Sequence, residues 1–400
     1  MMTTGTAIIG GGASGLFAGI FLKRAGEDLL ILERNPECGR KILITGHGRC
    51  NITNLKDPSE LKKGYNEASK FVYPAISKFS PADCMKLFQD ELGVRLKVEE
   101  NDRVFPVSDR ASDIRDAMVR YVGEDNIRTG FKCVSIKRKN GLFETTSENG
   151  DVVTCKNLIL ACGGQSYPGT GSDGSGFRLA AGLGHTINKP RASLSAIPAT
   201  YESLNDLQGV TVENVSLSLY FDGKKQASAG GDLLFTHNGI SGPSAMKISR
   251  EIPAAITGEV YILADLVEGL TDGELVGRIN ANPRTKLCNL ISDYVPRSLA
   301  SGICGDEIYC RDVRSEMRKD VLRKLRSFRF DIRKTPDISS AYCTRGGVIL
   351  NELCRDSYES RLVPDLFVIG ENTDVDGISG GYNLAFAAGS AFLAVKRILG

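Results

Sequence analysis

The sequence predicts an α/β fold in which one parallel sheet is assembled from both ends of the chain, with a different kind of region inserted between them. Residues 7–15 read Ala-Ile-Ile-Gly-Gly-Gly-Ala-Ser-Gly, an apolar run that breaks into glycines before a helix-like segment. Two further apolar runs, ending near Ala161 and Ile369, also break into glycine-rich loops. After Pro190 the composition changes to short alternating runs with polar turns, which is typical of antiparallel strands.

The first predicted element is a βαβ unit at about residues 5–34, with the pattern Gly10-x-Gly12-x-x-Gly15 at its turn. Backbone without side chains lets a pyrophosphate approach, and the helix that follows offers its free N–H groups and positive dipole end. Glu33 closes the next apolar run, 23 positions after Gly10, near the roughly 20-residue spacing of a carboxylate that binds a ribose diol. This order predicts a dinucleotide site, although Glu33 is alternatively a surface acid.

The three glycine-ended strands predict the size of the ligand. In an open parallel sheet, the carboxyl ends of the strands line the ligand crevice. Three such ends, which include Ala161 and Gly370, imply a long ligand across one sheet, and FAD meets that demand better than NAD alone. A second Gly-x-Gly-x-x-Gly unit in a full βαβ context is absent, so NADPH or NADH is expected only as a transient electron donor.

A second glycine loop, Gly-Gly-Tyr-Asn at residues 380–383, precedes a helix of small residues that runs from Leu384 to Leu399. A helix N-terminus carries roughly half a positive charge. Against the N1–C2=O edge of a flavin, it would favour the anionic reduced form and raise the reduction potential. The alternative for this loop is a plain helix cap.

Composition and charge exclude several classes of protein. The chain has 400 residues, is 42% hydrophobic and 24% charged, and its net charge of +2 offers no global field for nucleic acid or an anionic membrane. No apolar run approaches the roughly 18 residues of a membrane span. The N-terminus enters a strand almost directly, which predicts no signal peptide and a cytoplasmic protein. The 11 cysteines form no Cys-x-x-Cys pair and the three histidines are far apart, so reduced thiols and no metal site are expected.

Between the first βαβ unit and residue 160, the chain changes from helical to strand patterns. Apolar spacing predicts helices over 66–92 and 109–122. Three β runs follow, at 133–138, 142–147 and 152–160, and Asn-Gly pairs lie at the two turns between them. Such pairs between alternating runs predict a β-meander.

The inserted region is predicted to contain an antiparallel β domain at 191–265 and helices at 271–328. The last helix has an apolar stripe, formed by Val313, Met317, Val321, Leu325 and Phe328. Its other face is crowded with arginine and lysine, within a basic segment at 311–334. That face is either solvated or binds an anion, here a pyridine nucleotide or RNA.

Five blocks of sequence carry a resemblance to a known family. They lie at 39–54 (GRKILITGHGRCNITN), 163–176 (GGQSYPGTGSDGSG), 234–243 (LFTHNGISGP), 344–348 (TRGGV) and 370–383 (GENTDVDGISGGYN). Through these blocks, the chain resembles a bacterial family of FAD-dependent oxidoreductases that includes aminoacetone oxidases and the bile-acid flavoprotein BaiN. The blocks at 39–54 and 234–243 are specific to that family.

The resemblance implies a Rossmann-like FAD-binding domain with an inserted β-barrel-like domain and a small helical insert domain. The FAD-binding domain would comprise residues 1–190 and 341–400. The barrel-like domain would comprise 191–268 and 329–340, and the helical domain 269–328. These boundaries agree with the changes in composition along the chain.

The predicted cofactor-binding residues come from the motifs and the resemblance together. They are Gly10, Gly12, Ala13, Ser14, Gly15, Glu33, Arg40, Lys41, Cys50, Asn51, Val134, Ala161, Gly163, Gly370, Glu371, Asp376, Gly380, Gly381, Tyr382, Asn383 and Leu384. For Arg40 and Lys41 the alternative is a solvated turn. The chain departs from the family at His47, where relatives have a small residue, and at Asn372-Thr373, which replaces an apolar pair.

The expected function is that of an FAD-dependent oxidoreductase which transfers hydride between a small organic substrate and flavin N5. The second half-reaction would use NAD(P)H or dioxygen. His237 is the predicted catalytic residue, as a proton donor or substrate contact, and the alternative is a structural histidine. Two other hypotheses stay open: a tRNA-modifying flavoprotein, against which the net charge argues, and a non-catalytic dinucleotide-fold scaffold or redox sensor.

Overall fold

The computed structural model of the protein describes residues 2–202 and 207–400. The chain divides into two compact units. The first comprises Met1–Arg191 and Cys343–Gly400, and the second comprises Ala192–Tyr342. Residues 203–206 of the predicted antiparallel domain lie outside the described residues. The further division of the inserted region into barrel-like and helical domains stays a prediction.

The strands alternate with helices at both ends of the chain and follow one another in its middle. They are β1 Met2–Ile9, β2 Leu29–Leu32, β3 Thr53–Asn54, β4 Leu96–Glu99, β5 Arg103–Pro106, β6 Ile127–Arg128, β7 Cys133–Lys139, β8 Leu142–Ser147, β9 Val152–Leu160, β10 Ile187–Ser193, β11 Ile197–Pro198, β12 Thr200–Tyr201, β13 Thr211–Phe221, β14 Lys224–Thr236, β15 Gly239–Ser241, β16 Val260–Asp265, β17 Phe328–Asp331, β18 Cys343–Val348 and β19 Leu366–Val368.

The helices are short except at the C-terminus. They are α1 Ala13–Arg24, α2 Pro58–Leu61, α3 Ser69–Lys78, α4 Pro81–Lys86, α5 Ala111–Val122, α6 Ser175–Gly182, α7 Gly242–Ser249, α8 Asp272–Ala281, α9 Leu287–Ile291, α10 Arg297–Cys304, α11 Ser315–Arg326 and α12 Tyr382–Leu399. The helical pattern over 66–92 is divided by Ser80, whose side chain caps α4 in a capping box with Asp83.

The first unit contains the predicted parallel sheet, with strand order β6-β2-β1-β9-β8-β7 and with β19 paired to β9. β1 is parallel to β2 and β9, and β19 is parallel to β9. Ile9 stands opposite Leu32 and Leu160, and Leu160 stands opposite Val368. The carboxyl ends of four strands therefore coincide, so the three predicted glycine loops follow strands that end at the same edge.

The predicted meander completes this sheet. β7, β8 and β9 are antiparallel neighbours, and each lies within one residue of its predicted β run. Asn140 and Gly141 both have positive φ, 53° and 79°. A two-residue hairpin of this kind needs positive φ at both turn positions, which explains the Asn-Gly pair.

Two helices pack on one face of the parallel sheet and are buried around most of their circumference. All residues from Gly15 to Leu22 in α1 are buried, and most of α12 is buried as well. Phe17 and Phe21 of α1 contact a group of aromatic rings at centroid distances of 5.0–6.1 Å, namely Phe79, Phe88 and Phe392. A helix that is apolar all round belongs in a core, and this core holds the glycine loops in place.

The second unit is built on an antiparallel sheet with strand order β11-β15-β14-β13-β16-β17-β12. Along β13 and β16, buried side chains alternate with less buried ones, as expected when one face of a sheet packs on a core. β11 and β12 stand at opposite ends of the order but are separated in sequence by Ala199 alone. The strand path therefore returns on itself, as in a barrel.

The helical part of the second unit corrects one sequence prediction. The stripe from Val313 to Phe328 is longer than α11, which ends at Arg326 because Ser327 has a non-helical φ of −145°. Val321 and Leu325 are buried in the helix, whereas Phe328 begins β17. The apolar spacing thus crosses a helix–strand boundary, since both elements pack on the same core.

The chain leaves and re-enters the first unit through two paired strands, β10 and β18. Gly346 in β18 has a φ of +100°, and a Cβ there would lie 2.7 Å from the carbonyl oxygen of Lys189 in β10. Only glycine allows this close approach of two backbones. Across the described residues, we find no helix whose length and apolar character would let it cross a membrane.

Candidate cofactor-binding site

The turn after β1 is built by glycines that pack against the chain itself. Gly10 has a φ of +105°, and its N–H donates to the carbonyl of Leu32 at 2.9 Å. A Cβ at Gly10 would lie 2.5 Å from the Ala161 carbonyl oxygen, and a Cβ at Gly15 would lie 1.9 Å from the Gly10 carbonyl oxygen. Both glycines are therefore required to bring strand, turn and helix together.

Gly12 in the same motif faces open space. It is the N-cap of α1, and a Cβ added there would meet no atom within 4 Å. Within the described chain, no side chain caps this helix end. The N–H groups of the first helical turn are therefore available for an anion, which the helix dipole would stabilise.

Glu33 is held rigidly beside this turn. Its carboxylate is 6% exposed and accepts hydrogen bonds from the Gly11 N–H at 2.7 Å and from the backbone N–H and the side-chain amide of Asn35 at 2.7 and 2.8 Å. Burial raises the pKa of Glu33, and the hydrogen bonds from Asn35 and Gly11 oppose that shift. A carboxylate has about four acceptor positions, so it can still accept from a ribose hydroxyl.

A charge pair joins the end of β2 to the loop after β9. Arg34 Nη1 lies 2.6 Å from Asp173 Oδ2, and the Ser175 N–H donates to Asp173 Oδ1 at 3.0 Å. Burial alone would raise the pKa of Asp173, but the hydrogen bonds from Arg34 and Ser175 outweigh it and lower the pKa to about 2. The loop is thus fixed electrostatically beside Glu33.

The Asn372-Thr373 pair, where the chain departs from the resembled family, ties two strand ends together. Asn372 Oδ1 accepts from the Cys162 N–H at 2.6 Å, and Thr373 Oγ1 donates to the Gly370 carbonyl at 2.7 Å. Among the described residues, Asn372 Nδ2 is buried without a hydrogen-bond partner, and so is Ser172 Oγ. Both atoms lie against glycines of the same unit, since a Cβ would come within 2.2 Å of Asn372 Nδ2 at Gly176 and within 2.9 Å of Ser172 Oγ at Gly163.

Lys41 and Glu371, predicted separately from the sequence, form an ion pair. Lys41 Nζ lies 2.9 Å from Glu371 Oε2 and donates to Ser166 Oγ at 2.6 Å. Glu371 Oε1 accepts from the Thr344 N–H at 2.7 Å. The Lys41 side chain is 23% exposed, which argues against a freely solvated turn at this position.

The glycine loop before α12 is packed against the protein. Gly381, the N-cap of α12, has a φ of +95°, and a Cβ there would lie 2.4 Å from the Thr53 carbonyl oxygen. Asn54 Nδ2 donates to the Gly380 carbonyl at 3.0 Å. Asn383 closes the preceding turn, because its side chain accepts from the Gly377 N–H at 2.8 Å and donates to the Gly377 carbonyl at 3.0 Å.

Comparison with known proteins agrees with this arrangement of strand ends and glycine loops. The family described as HI0933-like protein Rossmann domain matches residues 4–397. The chain belongs to this family. The match includes both segments of the first unit and the whole of the second.

Relatives of the chain cover nearly its whole length. A protein of Escherichia coli (strain K12) named ribosomal RNA dihydrouridine synthase is 30% identical over 98% of this chain and 97% of its own. A protein of the same name from Haemophilus influenzae is 28% identical over 98% and 97%. A 3-dehydro-bile acid delta(4,6)-reductase of Clostridium scindens is 27% identical over 97% of each chain.

Solved structures share the fold at low sequence identity. A flavocytochrome c3 fumarate reductase in its open conformation matches with a TM-score of 0.52 at 16% identity, over 100% of this chain and 79% of that chain. The 3-ketosteroid delta1-dehydrogenase of Sterolibacterium denitrificans matches with a TM-score of 0.51 at 12% identity, over 100% and 99%. The predicted α/β fold with an inserted region is confirmed.

As a member of the HI0933-like family, the chain is an FAD-dependent oxidoreductase. The first unit fits the cofactor. Gly12 and the free end of α1 suit its pyrophosphate, and Glu33 suits its ribose.

The other predicted residues have diverse surroundings, and their contact with FAD stays a prediction for this family member. Arg40 is exposed and donates to Asn35 Oδ1 at 3.1 Å. Asn51 Oδ1 accepts from the Val104 N–H at 3.2 Å, and burial raises the pKa of the Cys50 thiol to about 12. Val134 is 52% exposed in β7, unusual for a large apolar side chain.

Most members of the remaining set surround the glycine loops. Ser14 lies against Gly370, where a Cβ would come within 1.9 Å of Ser14 Oγ. Tyr382 is buried, and its carbonyl accepts from Tyr65 Oη at 2.7 Å. Ala13 and Leu384 lie in the first turns of α1 and α12, Gly163 follows β9, and Asp376 lies in the loop before α12.

His47 and His237 lie on exposed turns. His47 has a left-handed φ of 57°, within the irregular segment Ile42–Gly48. His237 and Asn238 form the two-residue turn between β14 and β15 in the second unit, and the His237 side chain is exposed. A catalytic role for His237 stays a prediction.

Ser166 and Thr344 were not singled out by the sequence. They join Lys41 and Glu371 into one hydrogen-bonded cluster, although residues 41 and 371 are separated by most of the chain. Both lie in sequence blocks that carry the family resemblance, at 163–176 and 344–348. The two blocks are both predicted to reach the same edge of the sheet. That shared position is the signal in the sequence that points to Ser166 and Thr344.

Proposed function

We propose that the protein reduces a carbon–carbon double bond conjugated to a carbonyl group, in the uracil ring of a uridine of ribosomal RNA. We choose RNA as the substrate because the chain is 30% identical, over 98% of its length, to the E. coli protein named ribosomal RNA dihydrouridine synthase. The bile-acid reductase is named for a related reduction of double bonds in a keto compound. The chemistry is thus common to both kinds of relative, whereas the substrate differs.

The residues of the first unit have distinct roles in this reaction. When bound, FAD that NADPH or NADH has reduced by two electrons would supply hydride to one carbon of the double bond, while a proton joins the other carbon and the flavin returns to its oxidised form. The N-terminus of α1 binds the pyrophosphate and Glu33 orients the ribose. The N-terminus of α12 presents its positive dipole end, which favours negative charge on the group bound there.

The second unit supplies the basic surface that an RNA substrate needs. The segment 311–334 contains ten Lys and Arg against four Asp and Glu. Several of its cations pair with carboxylates, such as Lys324 with Glu202 and Arg318 with Asp272. Four exposed cations have no carboxylate partner in the described part of the chain: Arg314, Lys319, Arg333 and Lys334. They offer contacts to phosphates.

The test is direct conversion of uridine by the purified, FAD-loaded protein. Ribosomal RNA from cells that lack the gene is incubated anaerobically with protein and NADPH or NADH, and dihydrouridine is measured by mass spectrometry of the nucleosides. We expect the pyridine nucleotide to bleach the flavin absorbance and dihydrouridine to form. Bleaching without dihydrouridine would contradict the choice of RNA.

A second candidate function is reduction or oxidation of a small organic substrate, with NAD(P)H or dioxygen in the second half-reaction. The net charge of +2 and the many paired cations of 311–334 favour it. The same reduced enzyme, mixed with a cyclic enone without RNA, distinguishes the two. Rapid reoxidation of the flavin by the enone, with none by RNA, supports the small substrate.

For either substrate, His237 is proposed as the proton donor, because its imidazole is exposed on the turn between β14 and β15 and histidine is the side chain that most often serves as a general acid. A His237→Gln variant is expected to keep its FAD and its rate of flavin reduction while the rate of substrate reduction falls about 100-fold. A variant that keeps the wild-type rate would show that His237 has a structural role.

A further inference from the structure

A cavity of about 450 Å³ opens on the first unit, beside α5 and the loops before β4 and after β5. None of the predicted cofactor-binding residues lines it. Asp113, Ala117 and Arg120 share one face of α5 and form one wall. The backbone of Arg95 is held on the other side of the cavity, because the Val107 N–H donates to its carbonyl at 2.9 Å.

Three arginines surround this cavity, and two of them have no counter-ion. Arg95 and Arg120 are exposed and, within residues 2–202 and 207–400, have no carboxylate partner. Arg110 is 70% exposed and reaches Asp113 at 3.3 Å. Asp116 also lines the cavity but pairs with Arg115 outside it. Cations therefore exceed free carboxylates here, and the ligand should be an anion.

One part of the cavity wall is apolar. Leu92 and Ala117 are buried at the base, whereas Val107 is 45% exposed at the side. A volume of about 450 Å³ falls within the range of roughly 300–1,000 Å³ typical of small-molecule pockets. Apolar walls accept a planar ring, and guanidinium groups bind phosphate through two parallel hydrogen bonds and also stack on bases.

We propose that this arginine cavity binds one nucleotide, with its phosphate on Arg95 and Arg120 and its base against Leu92 and Val107. The nucleotide is either free, including half of a pyridine dinucleotide, or part of an RNA strand. The proposal stands without the proposed function, because it uses none of the residues assigned to FAD or to the reaction.

The experiment measures binding to the FAD-saturated protein, so that the cofactor site cannot take up the probe. AMP, adenosine and inorganic phosphate are titrated by calorimetry, and a short fluorescent single-stranded RNA is titrated by anisotropy at two salt concentrations. The test variant is Arg95→Ala/Arg120→Ala. The matched control is Lys156→Ala/Arg355→Ala, which removes two exposed cations of the same unit that do not line the cavity.

We expect the test variant to raise the dissociation constant about tenfold or more, since charge-assisted hydrogen bonds to phosphate are lost, while the control changes it less than about twofold. Binding of AMP without adenosine identifies a free nucleotide, and RNA binding alone identifies an RNA nucleotide. The proposal is overturned if the wild type binds neither AMP nor RNA, or if the test variant binds like the control. Dihydrouridine formation is measured separately, so the two proposals fail independently.

Discussion

The N-termini of α1 and α12 follow similar glycine-rich sequences, yet the space beside the capping glycine is open at one helix and filled by protein at the other. At α1, Gly12 faces open space, and a methyl group there would meet no atom within 4 Å. At α12, Gly381 has a φ of +95°, and a methyl group would lie 2.4 Å from the Thr53 carbonyl oxygen. The first glycine leaves room for a ligand, and the second leaves room for the protein's own backbone.

This difference shows that a glycine motif indicates a close contact with the backbone, but does not indicate whether a ligand or another part of the protein makes that contact. Within the α1 motif itself, Gly10 and Gly15 allow the strand, turn and helix to pack, while Gly12 borders open space. Helix dipoles and free N–H groups are alike at both termini, so the electrostatic argument for anion binding holds for each. Substitutions that separate packing from binding therefore test the comparison.

The largest expected effect is at Gly381. A Gly381→Ala variant combines left-handed strain with overlap on Thr53, which should lower the free energy of unfolding by about 3 kcal/mol. Urea unfolding with and without added FAD measures it, and the loss should be similar in both. Gly26→Ala is the control, because Gly26 also has positive φ but open surroundings, and it should cost about 1 kcal/mol. Equal losses in the two variants would show that contact with Thr53 is unimportant.

The next largest effect is at Gly12, where we expect weaker FAD binding without a loss of stability. Gly12 has a φ of −76°, which alanine adopts freely, so the apoprotein of Gly12→Ala should melt at the wild-type temperature. Its dissociation constant for FAD should rise about tenfold or more, because the methyl group occupies the place of the pyrophosphate. Gly182→Ala, in open space at the end of α6, should leave FAD binding unchanged. Wild-type affinity in Gly12→Ala would place the pyrophosphate elsewhere.

The smallest expected effect is a difference in how the stability of the two loops depends on pH. Arg34 and Asp173 fix the loop beside Glu33 by charge, whereas neutral amides of Asn54 and Asn383 fix the loop before α12. The folded-state pKa of Asp173, about 2, lies below its ordinary 3.8, so its contribution to stability is present above pH 3.8 and is lost as the pH falls through 2.

An Asp173→Asn variant should therefore unfold about 1–2 kcal/mol more easily at pH 7, and its difference from wild type should shrink between pH 4 and 2. Urea unfolding followed by flavin fluorescence reports on the first unit. Asp151→Asn is the control, since Asp151 is 50% exposed and pairs with Arg128 on the surface. A constant difference across this pH range would show that charge is not what holds the loop.

Local patterns predicted much of the fold. The meander, α12 and the coincidence of strand ends follow from period-two runs, turn dipeptides and glycine breaks. The apolar stripe predicts a longer helix than α11, because residues on either side of Ser327 pack on one core in different conformations. The cluster of Lys41, Ser166 and Glu371 could not be derived from spacing, since it depends on three distant segments meeting at the sheet edge.

The paired strands β10 and β18 also bear on how such a chain changes over evolution. Everything between residues 191 and 343 enters and leaves the first unit through neighbouring backbones. Closing a loop between neighbours costs only about 0.6 kcal/mol more for each doubling of its length. The region inserted between β10 and β18 can therefore be lengthened, shortened or replaced while these two strands keep their register. Relatives that share the first unit can therefore keep the same cofactor chemistry while changes in the inserted region give them new specificities.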